Sequence, residues 1–268
     1  MHADILAAIE EAASQDGLFL WLTGAGISAE SGIPTFRGPD GYWTVGSENY
    51  RAEELATNAA FRAMPKDVWS WYLWRRSVCR GAEPNAAHHA LVALEESLGD
   101  RFRLITQNVD GLHLRAGQTR MYEIHGDIER MRAGARVARV PDGFHPWARG
   151  QQLSDAEHAR LNIDGRPARP HVLWFDETYD EENFRFESSI AAAANAAMLF
   201  IVGSQGMTNL PNAIARVARH RGIPIVLVDP ASGAFDAMLE SPDWHMHESA
   251  TEAVPRLCDA IRDAVMKG

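Results

Sequence analysis

FLWLTGAGISAESGIPTFRG, residues 19–38, sets an apolar run, Leu18–Leu22, directly before Gly24-Ala25-Gly26 and a small, polar segment. The apolar run predicts a buried strand, the glycines a tight turn, and the polar segment the start of a helix. Such a turn brings backbone N–H groups and a helix N-terminus up to a phosphate with no side chain in the way. Gly24, Ala25, Gly26 and Ser28 are therefore the candidate phosphate seat. The third glycine of the common dinucleotide fingerprint is missing, because Ala29 follows Ser28. What lengthens the signal is the continuation, Ser31-Gly32-Ile33-Pro34-Thr35-Phe36-Arg37-Gly38.

Outward from this stretch, helices and strands alternate. Ile5, Leu6, Ala8, Ile9, Ala12 and Ala13 recur at helical spacing, and Asp16-Gly17 ends that helix. Gly38-Pro39-Asp40-Gly41 signals a turn, and residues 41–80 form an aromatic-rich helical region with Pro65 opening a helix over 65–80. Asn85 is placed to cap a helix running to about Ser97, ahead of a buried strand at Phe102–Thr106. Gln107-Asn108-Val109-Asp110 follows that strand's carboxyl end, where open α/β sheets bind ligands. A short strand, Met121–Ile124, ends at His125. Residues 127–170, rich in Arg, Gly, Pro and His, lack periodicity and read as a small inserted module. Beyond it come a strand at His171–Phe175, an alanine-rich helix at Asn183–Ala197, a strand at Met198–Val202 ending in Gly203-Ser204, and a helix at Pro211–Arg221. A strand at Ile223–Val228 ending at Asp229 and an amphipathic helix over Thr251–Val265 complete the chain. The expected fold class is α/β: a doubly wound parallel sheet with a smaller inserted module.

The 268 residues suffice for a full α/β core. A net charge of −10 is not the balance of a phosphate-backbone binder, so no nucleic-acid partner is expected. Cys79 and Cys258, far apart, offer no disulfide framework. The N-terminal residues read as an amphipathic helix and not as a signal peptide, and no run of about 18 apolar residues occurs. A cytoplasmic protein without a membrane span is expected.

Three stretches in order, GAGISAESGIPTFRG at 24–38, TQNVDGLH at 106–113 and EIHG at 123–126, resemble the signatures of the sirtuins, the NAD-dependent protein lysine deacylases. The resemblance implies one catalytic domain over residues 1–268, with a Rossmann-like NAD-binding part (1–40, 85–125 and 171–268), a helical part (41–84) and a small module (127–170). It implies NAD as cofactor and acylated lysine peptides or proteins as partners. Phe36 and Arg37 would lie on a loop over the nicotinamide ribose, Gln107 would reach the ribose hydroxyls, and Asn108 and Asp110 would hold the carboxamide. In the implied reaction the acyl oxygen of the modified lysine attacks the ribose carbon as nicotinamide leaves. His125, the candidate general base, then accepts a proton from the ribose hydroxyls so that the 2′-oxygen attacks the acyl carbon, giving free lysine and O-acyl-ADP-ribose. An imidazole with an ordinary pKa of about 6.5 is available for this at neutral pH. His113 is the lesser candidate, placed to order the loop. Gly203, Ser204, Asp229 and Ala250 would complete the nucleotide site.

Val172, Leu173, Trp174 and Phe175 are similar to the family's strand that pairs with the substrate peptide, with Trp174 and Phe175 walling the lysine stem. Trp69–Arg76, WSWYLWRR, matches the subgroup that removes negatively charged acyl groups. There Tyr72 and Arg75, three residues apart on one helix face, would grip a succinyl or malonyl carboxylate. The chain departs from the family at Pro39, Asp176, Gly203-Ser204-Gln205 and Asp229, where alanine, glycine, Gly-Thr-Ser and asparagine are usual. Asp229 can still accept ribose hydroxyls and should disfavour NADP. Arg130–Arg169 has no cysteine where most sirtuins carry two Cys-x-x-Cys pairs, so no zinc is expected, and Phe144, Trp147 and Leu153 are expected to hold the module instead. The expected activity is desuccinylase or demalonylase with possible deacetylase activity. An NAD glycohydrolase or ADP-ribosyltransferase on the same fold is the alternative, and a non-catalytic NAD or ADP-ribose sensor the third reading.

Overall fold

A computed structural model describes residues 2–35 and 52–267. In chain order its elements are α1 (Ala3–Ser14), β1 (Leu18–Thr23), a 3₁₀ helix (Ala25–Ser31), α2 (Ala52–Leu55), α3 (Asn58–Ala63), α4 (Pro65–Gly81), α5 (Ala86–Leu98), β2 (Phe102–Thr106) and α6 (Leu112–Ala116). There follow β3 (Met121–Glu123), β4 (Gly126–Ala133), β5 (Arg136–Arg139), α7 (Asp155–Ala159), β6 (Asn162–Ile163), β7 (Arg166–Pro167) and β8 (Arg169–Val172). The last part holds α8 (Glu181–Phe184), α9 (Phe186–Ala194), β9 (Ala196–Val202), α10 (Asn209–His220), β10 (Ile225–Val228), β11 (Trp244–Met246) and α11 (Ala250–Lys267).

The main sheet has the order β11-β10-β9-β1-β2-β3, every pair parallel. Its strands are apolar on both faces, and their alternation assigns each residue to a layer. Phe19, Trp21, Phe102, Leu104, Met198 and Phe200 pack with α1, α5 and α11. Leu20, Leu22, Ile105, Leu199, Ile201, Ile225 and Leu227 pack on the other face with α9 and α10. Trp21 stacks on Phe200 at 4.3 Å between ring centroids, where their strands run in register. Each fully buried side chain of this size contributes about 1.5–3 kcal/mol. The chain runs outward from β1 to β3, then returns to β9 on the other side of β1. The strand order therefore reverses between β1 and β9, the position where ligand crevices open in such sheets.

A separate apolar cluster joins α2–α4 to the inserted module. Trp69, Trp71 and Leu73 of α4 pack with Ile128, Met131, Val140, Phe144, Trp147, Leu153, Leu161 and Trp174. The Ser77 hydroxyl accepts the Trp147 N–H at 2.8 Å and the Ser70 hydroxyl accepts the Leu153 N–H at 3.1 Å, so the module is tied to α4 by backbone as well as by rings. Among the described residues no three His, Cys, Asp or Glu side chains cluster so as to hold a metal ion, and no helix is long and apolar enough to cross a membrane.

The structure departs from the sequence reading at several elements. The strand expected at 171–175 is β8, which starts at Arg169 and ends at Val172. The helix expected over 183–197 is two helices, broken where Arg185 takes φ +54°, and its last residues belong to β9. The segment read as a small inserted module without periodicity contributes strands to the antiparallel sheet β5-β4-β8. The edge strand β11 has too short an apolar run to announce itself.

Candidate functional site

One cavity of about 730 Å³ lies along the carboxyl ends of β1, β2, β9 and β10 and runs under α4 and the segment after β8. At its nucleotide-facing end the turns after β1 and β9 interlock. Gly24 N–H donates to Val202 O at 2.9 Å and Gly26 N–H to Gly203 O at 2.8 Å. A Cβ on Gly26 would sit 2.5 Å from Gly203 Cα, which is why this turn is glycine. The two glycine amides serve the neighbouring turn, and Ala25, at the first position of the 3₁₀ helix, has no earlier helical carbonyl to bond. The helix itself is 3₁₀ over its whole length.

At the centre, Asn108 Nδ2 donates to Gly24 O at 3.0 Å and to Ser28 Oγ at 3.1 Å. Ser28 Oγ donates in turn to Asp110 Oδ2 at 2.8 Å, and Asp110 Oδ1 accepts the Leu112 N–H at 2.8 Å. Asp110 thus caps the start of α6 and anchors the Asn108 loop together. Burial pushes its carboxyl up from the ordinary aspartate range, and the Leu112 and Ser28 bonds pull it back. Gln107 donates through Nε2 to Ser204 Oγ at 2.7 Å, and its Oε1 accepts from Thr208 at 3.3 Å.

His125 closes β3 against β8. Gly126, at φ +87°, lets the backbone pass where a Cβ would lie 2.0 Å from His171 O. The His125 ring bonds Gln107 O through Nδ1 at 3.0 Å and the Tyr179 hydroxyl through Nε2 at 2.8 Å. Burial lowers its pKa to about 4, with the Gln107 bond acting the other way. The ring is therefore uncharged at neutral pH. His113 does not line the cavity. It is buried behind it, with Nε2 3.1 Å from Thr23 Oγ1 and its ring 4.7 Å from that of His88.

At the other end, Tyr72 and Arg75 of α4 both face the cavity and both are buried, Arg75 with 4% of its surface exposed. The guanidinium carbon lies 4.6 Å from the Trp71 ring centroid and 5.5 Å from that of Tyr72. Trp174 Nε1 donates to Tyr72 Oη at 2.9 Å. Indole nitrogen is only a donor, so the Tyr72 phenol accepts and keeps its own proton to give. Burial raises the Tyr72 pKa, opposed by the charge of Arg75, so that proton stays on. Trp174 is itself clamped: Arg169 lies over its ring at 3.3 Å, and Glu177 accepts its backbone N–H at 3.0 Å while bonding Arg169 and Arg132. Cys79 also lines this end, but burial pushes its thiol up to about 12, so it is no nucleophile at neutral pH.

A pattern describing the Sir2 family matches residues 24–208. The chain belongs to the Sir2 family. Among Sir2 relatives, a protein from Leptospira interrogans named NAD-dependent protein deacylase is 38% identical over 244 residues, 90% of this chain and 92% of its own length. One of the same name from Aquifex aeolicus is 36% identical over 242 residues, 90% of this chain and 94% of its own. A solved structure of a Sir2 homologue in complex with NAD is similar with a TM-score of 0.79 at 31% identity, covering 99% of this chain and 95% of that one. A Sir2 homologue mutant in complex with ADP ribose gives 0.82 at 30% identity, over 100% and 99%.

The fold thus gathers into one cavity Gly24, Ala25, Gly26, Ser28, Gln107, Asn108, Asp110, His125, Gly203, Ser204, Asp229 and Ala250 at one side and Tyr72, Arg75, Val172, Trp174 and Phe175 at the other. Phe36 and Arg37, the turn at 38–41 and Pro39 lie outside the described residues. The strand expected to pair with a peptide needs correction. Leu173 N–H already donates to His125 O, Trp174 N–H to Glu177 and Phe175 N–H to Ala56 O, so those three amides are not a free edge. Phe175 is 53% exposed and sits on the rim instead of walling a tunnel. Asp176, in the family's glycine position, accepts the N–H groups of Asn58 and Ala59 at 2.8 and 3.2 Å and fastens the rim to the start of α3. Sequence reasoning missed Tyr179, Thr208 and Glu177. Tyr179 is 54 residues from His125 in an acidic stretch with no periodicity, and only the fold brings them together.

Proposed function

We propose that this Sir2-family chain is an NAD-dependent protein lysine deacylase that favours acyl groups ending in a carboxylate, succinyl or malonyl. The names of its relatives support the deacylase part. The observation that carries the finer reading is the buried Arg75 guanidinium in the same cavity as His125 and Asn108, next to a Tyr72 hydroxyl with a proton to donate.

The cavity fits NAD. Its volume accommodates a dinucleotide, the small-residue turns at 24–26 and 203–204 leave its floor open, and Asp229 stands beyond β10 as an acceptor for hydroxyls. Gly24, Ala25, Gly26, Ser28, Gly203, Ser204, Asp229 and Ala250 would hold the adenosine and phosphate part. Asn108, Asp110 and Gln107 would hold the nicotinamide ribose part. When bound, NAD supplies an electrophilic sugar carbon with nicotinamide as leaving group. Asn108, both of whose Nδ2 protons are engaged by Gly24 and Ser28, offers its amide oxygen. Asp110, a buried acceptor, keeps that loop fixed. His125, uncharged at neutral pH, provides the base. Trp174 and Val172 exclude water along the lysine stem, and Arg75 and Tyr72 neutralise the acyl carboxylate by charge-assisted hydrogen bonds.

The test is Arg75→Met assayed on succinyl-, malonyl- and acetyl-lysine peptides by nicotinamide release. A hydrogen bond to a charged group contributes about 1.5–3 kcal/mol, so succinyl kcat/KM should fall about 10- to 100-fold while acetyl kcat/KM changes about threefold or less. Equal losses on succinyl and acetyl peptides would refute the carboxylate reading.

A further inference from the structure

The nitrogen that His125 would use as a base is already taken by a phenol. A carbonyl oxygen cannot donate, so the 3.0 Å contact to Gln107 O places the ring proton on Nδ1. Nε2 is then the acceptor, and the Tyr179 O–H, 2.8 Å away, donates to it. The Thr208 hydroxyl and the Leu210 N–H, at the start of α10, act on the phenol and draw its pKa down against burial. Tyr179 and Thr208 both line the cavity, with Gln107 and Gly203–Gln205 around them. The Thr208 hydroxyl donates to Gln107 Oε1 at 3.3 Å, which leaves a lone pair of the phenol open to the cavity.

We propose that Tyr179 is a catalytic residue of this chain, a phenol relay standing between the sugar hydroxyl and His125. The inference rests on the deacylase reading. As the sugar oxygen attacks the acyl carbon, its O–H bond breaks and a new O–H bond forms on Tyr179. In the same step the phenol's own proton passes to His125 Nε2, the electron pair left on the sugar oxygen makes the new C–O bond, and the π bond between the acyl carbon and the lysine nitrogen breaks, its pair moving onto that nitrogen. The imidazolium formed keeps its Nδ1–H on Gln107 O, and Tyr179 ends the step as an uncharged phenol. No phenolate accumulates. Burial pushes the Tyr179 pKa up to about 12, so the phenol gives up its proton only while receiving another. Among the described residues no charged group competes for the imidazole: its hydrogen bonds go to Gln107 and Tyr179, while Glu123 and Asp127 pair with Arg130, His171 stacks on Phe184, and Asp110 and Glu177 bond elsewhere.

The test is Tyr179→Phe, which keeps the ring and removes the proton. Nitrogen-15 NMR of histidine-labelled, ligand-free protein should show His125 Nε2 as a hydrogen-bonded acceptor in the parent chain, and its resonance should move in the variant. With NAD and a succinyl peptide, exchange of labelled nicotinamide into NAD precedes the base-dependent step and should stay within about threefold, while net deacylation falls about 100-fold. An unmoved Nε2 resonance overturns the proposal. So does net deacylation within about threefold of the parent, or exchange and deacylation falling together, which is what a merely structural side chain would give. If the parent chain itself releases no nicotinamide with any acyl peptide, the deacylase reading fails and the relay falls with it. A parent that turns over beside an equally active Tyr179→Phe sinks the relay alone.

Discussion

At one end of the cavity the walls are backbone: the turns after β1 and β9 press together so closely that a methyl group on Gly26 would overlap Gly203. At the other end the walls are side chains, in a chain of contacts from Arg132 and Arg169 through Glu177 and Trp174 to Tyr72 and, beside it on α4, Arg75. In the proposed reading the first construction meets what every ligand with a phosphate and a ribose shares. The second is adjustable one residue at a time, so specificity can change there without disturbing the sheet. His125 stands where the two meet, bonded to the loop of one end through Gln107 and close to the segment that carries the other.

Changes that break this contrast should have effects of different kinds and sizes. The largest is at the junction. With His125 near pKa 4, its base form persists well into acid, so the limb of kcat/KM due to this group should fall near pH 4. An ordinary imidazole would cut the rate about 100-fold by pH 4.5, a difference a pH profile of peptide-dependent nicotinamide release will show directly. Gly26→Ala comes next and should injure the whole protein. Overpacking of this kind costs about 1–3 kcal/mol, read as a lowered Tm with NAD affinity weakened about 10-fold or more. At the side-chain end, Trp174→Phe removes the bond to Tyr72 and leaves part of a buried indole's space empty. It should lower Tm by about a few degrees and reduce the succinyl-over-acetyl preference about fivefold. The smallest effect belongs to Asp229→Asn, which removes a carboxylate from the ribose end. Discrimination of NAD against NADP should relax about threefold to fivefold, measured as the ratio of kcat/KM values.

The same contrast explains what could be read before the fold was known. An apolar run followed by GAG is local information, and backbone constraints act within a few residues, so β1 and its turn were visible in the sequence. Asn85 as a helix cap was equally local, and its side chain accepts the Ala87 N–H at 3.0 Å. Tyr72 and Arg75 were legible because three residues on a helix fix a shared face. The rest was not local. Trp174 meets Tyr72 across 102 residues, and Tyr179 meets His125 across 54, with no spacing rule to connect them. The module at 127–170 hid its sheet because its strands are short and Arg-rich, and their apolar residues face α4 in no simple alternation. The partners of the glycine amides were hidden for a related reason. A turn's sequence announces its shape but not which partner takes its N–H groups, and here Val202 and Gly203, at the end of β9 and just past it, take them.

The most direct measurement is nicotinamide release from NAD by the purified chain, with succinyl-lysine peptide, with acetyl-lysine peptide, and with no peptide. The account predicts release that depends on peptide and is faster, in kcat/KM, with the succinyl form. Equal release with and without peptide would contradict it.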